Sequence, residues 1–194
     1  MNMWNAMASN RHVTGLAGLD AHARLATGSG EEGYNGGLVF RFPWYEDLFQ
    51  LFGLHVSLER TLTMNAETDS RAIVASLQRG EFYSSVEGQA TPAKFEFFGT
   101  QTDGTPVKMG DTTPGTQDLD LVANVTAPTG ALIRLLQNGT TVAESTNLEL
   151  THNVNASDSN AVYRIEVYLS ENRALDEVPW VVSNPIFVGG REAE

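Results

Sequence analysis

The spacing of hydrophobic and polar positions changes along this chain, and the change divides it in two. Over residues 119–125 apolar side chains fall on every second position, Leu119, Leu121, Ala123 and Val125, with Asp120 and Asn124 between them. Period two predicts a strand with one buried face. Tyr163, Ile165, Val167 and Leu169 alternate in the same way with Arg164, Glu166 and Tyr168, and Leu148 and Leu150 alternate with Asn147, Glu149 and Thr151. Residues 131–137 and 140–144 flank Asn138-Gly139, a dipeptide suited to the left-handed conformations of a two-residue hairpin turn. Residues 180–188 supply a last strand whose Pro185 predicts an edge position or a bulge. Short strands separated by turn signals predict an immunoglobulin-like β-sandwich over residues 91–190, without the cysteine pair of antibody domains.

Ahead of residue 90 the pattern is different. Behind Pro43, Tyr45, Leu48, Phe49 and Phe52 stand at i, i+3, i+4 and i+7, the stripe of a short helix with its apolar side in the core. A second helix is predicted with Thr68 or Asp69 as cap, Ala72, Ile73 and Leu77 buried, Arg79 in the last turn and Gly80 ending it, followed by a strand over residues 81–87. Residues 1–10 read as the end of a helix with Trp4 and Met7 on one face. Residues 13–19, VTGLAGL, form a continuous apolar run punctuated by glycine, which predicts a strand buried on both faces. Residues 27–37 hold five glycines and two acids and read as an exposed loop. Gly, Thr and Pro collect at residues 88–92, where the boundary between the two parts is placed.

Composition narrows the function. Across 194 residues, 24 acids against 12 Lys plus Arg give a net charge of −12, which argues against nonspecific binding to nucleic acid or to an anionic membrane surface. No apolar run approaches the roughly 18 residues of a membrane helix, which predicts a soluble chain. The absence of cysteine removes disulfides, thiolate metal sites and thiol catalysis, and leaves the cellular compartment open. There is no G-x-S-x-G elbow, no phosphate-cradling glycine motif, and no singled-out pair of glycosidase carboxylates.

The constellation that carries chemistry is Asp20-Ala-His22-Ala, at the C-terminal end of the 13–19 run. In a strand, residues i and i+2 point the same way, so both side chains converge on one site. A carboxylate and an imidazole are both ligands for zinc, manganese or iron. The same spacing also suits a turn-forming aspartate beside a surface histidine, and spacing by itself leaves both open. His55, in an apolar stretch, reads as a satisfied core side chain rather than a ligand.

The run GLAGLDAHAR (15–24) resembles the last metal-binding motif of the PHP (polymerase and histidinol phosphatase) family of metal-dependent phosphoesterases, whose fold is a distorted barrel of parallel strands and helices. FPWYEDLFQLFGLHV (42–56), DSRAIVASLQRGEFYSSVEG (69–88) and VPWVVSNPIFV (178–188) are similar to the tail of bacterial PHP hydrolases that carry a C-terminal β-rich domain. The resemblance implies that residues 1–90 are the C-terminal part of a PHP barrel and that Asp20 and His22 are metal ligands. It also implies hydrolysis of small-molecule phosphate esters or related esters by metal-activated water. That family's site needs an earlier His-x-His pair and further carboxylates, whereas the histidines here, His12, His22, His55 and His152, form no such pair. The expectation is therefore a C-terminal fragment of such an enzyme, with an incompletely liganded metal, no activity alone, and exposed barrel edges open to self-association. The competing expectation is a non-catalytic β-sandwich module presenting aromatic residues such as Tyr83, Tyr168 or Trp180.

Overall fold

The computed structural model describes residues 2–19, 25–26, 39–40, 44–90, 94–127, 130–156, 160–169 and 178–189. Helix α1 (Asn2–Ala8) opens the chain, followed by a small hairpin, β1 (Leu25–Ala26) with β2 (Val39–Phe40), and the one-turn helix α2 (Tyr45–Phe49). Strand β3 (Gly53–Val56), helix α3 (Ala66–Arg79) and strand β4 (Phe82–Ser85) come next. The rest is strand: β5 (Lys94–Gln101), β6 (Pro106–Lys108), β7 (Thr112–Thr113), β8 (Leu119–Thr126), β9 (Ala131–Gln137), β10 (Thr140–Ser145), β11 (Glu149–Val154), β12 (Ala161–Leu169), β13 (Val181–Ser183) and β14 (Ile186–Val188).

The protein is mostly β. One sheet runs β10-β9-β12-β13-β4-β3, with β14 continuing β13 along β12, and a second runs β11-β8-β5-β6. Pairing is antiparallel throughout except between β14 and β7. A shared core lies between the sheets: Ile133, Leu135, Tyr163, Ile165, Val167 and Val181 from one, Phe95, Phe97, Leu119, Leu121, Ala123 and Leu150 from the other. Two antiparallel sheets around one core are compatible with a β-sandwich. The period-two residues of β8 all point inward, and Asn138 and Gly139 both take positive φ in the β9–β10 turn. Leu148 does not share the burial of Leu150, because β11 begins only at Glu149.

Pro185 produces a bulge rather than an edge. The last strand breaks at Asn184-Pro185 into β13 and β14, because proline has no N–H for the ladder, and both halves lie in the interior of the sheet. The first half pairs with β4 and the second with β7, so one bulged strand joins residues on either side of position 90. Trp180, wholly buried, adds a bond from its indole N–H to the Ala90 carbonyl.

Several expectations are corrected. Residues 13–19 form no strand; they run as half-buried, unpaired chain across the outer face of the first sheet, and no described strand lends them an edge. The stripe on α2 is not core: Phe49 is 65% exposed and Tyr45 50%, since a single turn followed directly by β3 finds no second layer to pack on among the described residues. Helix α3 begins earlier than predicted. Asn65 caps it by accepting from the Thr68 N–H, while Asp69 instead accepts from the N–H and hydroxyl of Thr63. Gly80 ends it in the left-handed region, as expected. Arg164 and Glu166, on the predicted solvent face of β12, are buried: Trp4 and Asn5 of α1 lie against Arg164, and Arg164 and Tyr168 enclose the Glu166 carboxylate.

Candidate functional site

Asp20 and His22 lie outside the described residues, as does the glycine-rich loop of residues 27–37. The chain that leads to them is described, and it is fastened at three points. His12 donates from Nε2 to the Gly110 carbonyl at 2.7 Å and packs against Phe187 with ring centroids 4.3 Å apart. The Trp4 ring covers Gly15 so closely that a Cβ there would stand 2.7 Å from it, which is why a glycine occupies this position. The Gly15 N–H donates to Asn184 Oδ1 at 2.7 Å, and the Asn184 amide N–H in turn donates to the Phe82 carbonyl at 3.1 Å. Asn184 is itself buried at the strand bulge, so its side chain substitutes for the ladder that residues 13–19 lack. Beside this segment an apolar groove of about 480 Å³ runs between Leu16, Phe52, Ser84, Val178 and Trp180.

A second cluster sits on the inner side of β3 and β4. His55 Nε2 lies 2.9 Å from Glu87 Oε1 and 3.0 Å from Ser85 Oγ, and the Ser85 hydroxyl also points to Glu87 at 3.3 Å. The imidazole stacks on Tyr83 at 4.6 Å, and Tyr83 meets Phe95 edge-on. Serine, histidine and carboxylate together suggest a nucleophilic triad, but the wiring differs. In a triad the serine and the carboxylate occupy opposite ring nitrogens. Here both approach Nε2, so Nε2–H and the hydroxyl both donate to Glu87, and Ser85 is buried with no base to activate it. The cluster is a structural clasp. Gly53 leaves room for it, because a Cβ there would run into the Glu87 carboxylate. His55 is thus a satisfied side chain, as read from the sequence, though half-exposed rather than core. The missed partners had a faint signal, the i, i+2 spacing of Ser85 and Glu87.

A third cluster joins α3 to the second sheet. Glu81, nearly buried, accepts from Arg79 Nε at 3.1 Å and Nη2 at 3.0 Å and lies 3.8 Å from Lys108 Nζ. The Arg79 hydrogen bonds, with the charge of Lys108 behind them, hold the Glu81 carboxyl below the usual carboxylate range despite its burial. A lowered folded pKa stabilises the fold above the unfolded value of about 4.3, and this contribution is lost as pH falls through the lower folded value. Urea denaturation of wild type and Glu81→Gln at pH 6 and pH 3 is expected to show a deficit for the variant at pH 6 that shrinks at pH 3.

Among the described residues no group of three or more His, Asp or Glu side chains is placed to hold a metal ion. Nor is any described helix long and apolar enough to cross a membrane. The aromatic residues of the competing reading do not form a contact surface: Tyr83 and Trp180 belong to the core, and the Tyr168 hydroxyl is tied to Glu166 at 2.6 Å. No protein-family profile, characterised protein or solved structure matches the chain.

Proposed function

We propose that this chain is the C-terminal portion of a PHP-type metal-dependent hydrolase acting on small-molecule phosphate esters or related esters, with residues 1–90 the tail of its barrel and residues 91–190 an immunoglobulin-like sandwich whose first sheet is extended by β4 and β3 of that tail. One observation carries the reading. The most specific marks of the family resemblance are Asp-Ala-His-Ala and WVVSNPI, and Gly15, five residues ahead of the first, is hydrogen-bonded to Asn184 within the second, about 170 positions away in sequence. The sandwich thereby fixes the approach of the chain to Asp20 and His22. The exposed Tyr45 and Phe49 of α2 and the exposed Leu16 fit a surface that the rest of a barrel covers.

The donor set fits a divalent zinc, manganese or iron ion as two of the three or more protein ligands that a catalytic site uses. When bound, such an ion supplies Lewis acidity toward the ester and lowers the pKa of the attacking water. Asp20 contributes a negative charge that offsets the ion and His22 a neutral nitrogen. The remaining ligands come from polypeptide outside this chain.

Titration of the purified chain with zinc or manganese is expected to show weak one-to-one binding that disappears in Asp20→Ala/His22→Ala, with no turnover of p-nitrophenyl phosphate. Binding unchanged in the double variant overturns the ligand assignment. Robust turnover lost in Asp20→Ala overturns the incompleteness of the site.

A further inference from the structure

Apart from the two-residue β7, the two sheets end in four edges among the described residues, and three of them are guarded against pairing with another strand. Edge β10 carries a bulge between Thr141 and Ala143 and a charged Glu144. Edge β11 begins at a glutamate and rests against β10, and β6 starts at Pro106 and ends at Lys108. Among the described residues edge β3, which α3 approaches, has none of these devices. Gly53–Val56 pairs with β4 in unbroken register, without proline, lysine or bulge, and its one titratable side chain, His55, is turned inward to Glu87.

The free side of β3 can be assigned atom by atom. Ser57 N–H bonds to the Glu81 carbonyl, so the pairs His55–Tyr83 and Gly53–Ser85, two and four residues back, are the hydrogen-bonded ones. The amides and carbonyls of Leu54 and Val56 therefore point away from β4. Leu54 is 38% exposed and Phe52 41%. Beneath the edge a groove of about 690 Å³ opens between β3 and the second sheet, over Tyr83, Phe95, Phe98 and Met109. Another strand thus has both bonding partners and space.

We infer that β3 is the pairing edge for a second copy of this chain, joined antiparallel about a twofold axis. The argument for a like partner is charge. A chain of net charge −12 repels its copies, yet the eleven residues 48–58 contain no Asp, Glu, Lys or Arg, so two copies meet here without opposing like charges. An antiparallel edge is also self-complementary. With the axis through Leu54, that residue bonds to Leu54 of the partner subunit, and Phe52 faces Val56 of the partner subunit on the same side of the joined sheet. This does not depend on the metal assignment, since neither Asp20 nor His22 enters it.

Sedimentation of the full chain across about 1–200 µM is expected to give a species of twice the 21.1 kDa monomer mass. Leu54→Lys, which installs the missing guard, is expected to weaken the dimer about a hundredfold or more, whereas Val142→Lys on the guarded β10 edge leaves it unchanged. Hydrogen exchange of the wild type provides a reading that does not rely on variants folding: the Leu54 and Val56 amides slow as concentration rises, and the His55 amide does not. A wild-type monomer throughout, a dimer unaffected by Leu54→Lys in a folded variant, or a dimer without that alternating protection overturns the inference.

Discussion

Gly110→Ala is expected to cost about 3–5 kcal/mol, a large part of the roughly 5–15 kcal/mol that holds a domain together. Gly110 has φ +88°, and a Cβ placed on it would overlap the carbonyl oxygen of Arg79. That obstacle is backbone at the end of α3, so no side chain can rotate away. On the opposite side Gly80 has φ +78°, and its own missing Cβ would lie 3.1 Å from the Gly110 Cα and 2.6 Å from the Thr14 side chain. The two glycines let α3 touch the β6–β7 turn backbone to backbone, while the Gly110 N–H holds the Pro185 carbonyl at 2.8 Å and its carbonyl receives His12. Gly104 supplies the control. Its φ of +86° is nearly the same, but nothing stands within 4 Å of its missing Cβ. Gly104→Ala is accordingly expected to cost only about 1 kcal/mol of backbone strain. Urea denaturation of both variants checks the difference; equal losses would mean that the close approach is unimportant.

Arg164→Met is expected to cost about 3–5 kcal/mol, because it leaves the Glu166 carboxylate buried without its partner. Arg164 is 3% exposed and Glu166 5%, on the outer face of a central strand. The guanidinium is bonded to Glu166 and to Asn5 Oδ1, and the Trp4 ring lies 5.1 Å above it. The Tyr168 hydroxyl donates to the other Glu166 oxygen. A buried ion pair is replaceable as a unit far more cheaply than by halves. The double variant Arg164→Met/Glu166→Leu is therefore expected to recover most of the loss, and a full double-mutant cycle in urea measures the coupling. Tyr168 adds an alkaline signature. Burial first, and its bond to Glu166 second, push its pKa up to about 12. Since the folded value exceeds the ordinary one, the hydroxyl stabilises the fold below about pH 10, and this is lost as pH rises through 12.

The same residues show where the sequence was legible and where it was not. Alternation identified β8 and the inward face of β12 because those faces meet another sheet, and Asn138-Gly139 located its hairpin because few dipeptides accept two positive φ angles. Period two could not reveal that the polar face of β12 is also covered, since Arg164 and Glu166 satisfy each other and look in sequence like any solvated pair. The α2 stripe has a helical period, but a period names a face without naming what lies against it. Residues 13–19 are apolar enough for a buried strand, yet the Gly15 N–H is taken by Asn184, a partner about 170 positions away that no local pattern announces. Of the candidate site, Asp20 and His22 were legible as chemistry, whereas the fastening at His12 and Gly15 was visible only once the fold was known.

The bulged final strand also sets an order of events during synthesis. Ser84 of β4 pairs with Val182 of β13, nearly a hundred positions later. Until the last strand has left the ribosome, β3 and β4 have no sheet to join, and β12 lacks one neighbour along its whole length. Long-range pairing of this kind slows folding and leaves strand edges exposed to aggregation meanwhile. Loss of residues 178–189 would therefore do more than shorten the chain: the first and last thirds of the polypeptide would both emerge without the strand that commits them to a common fold.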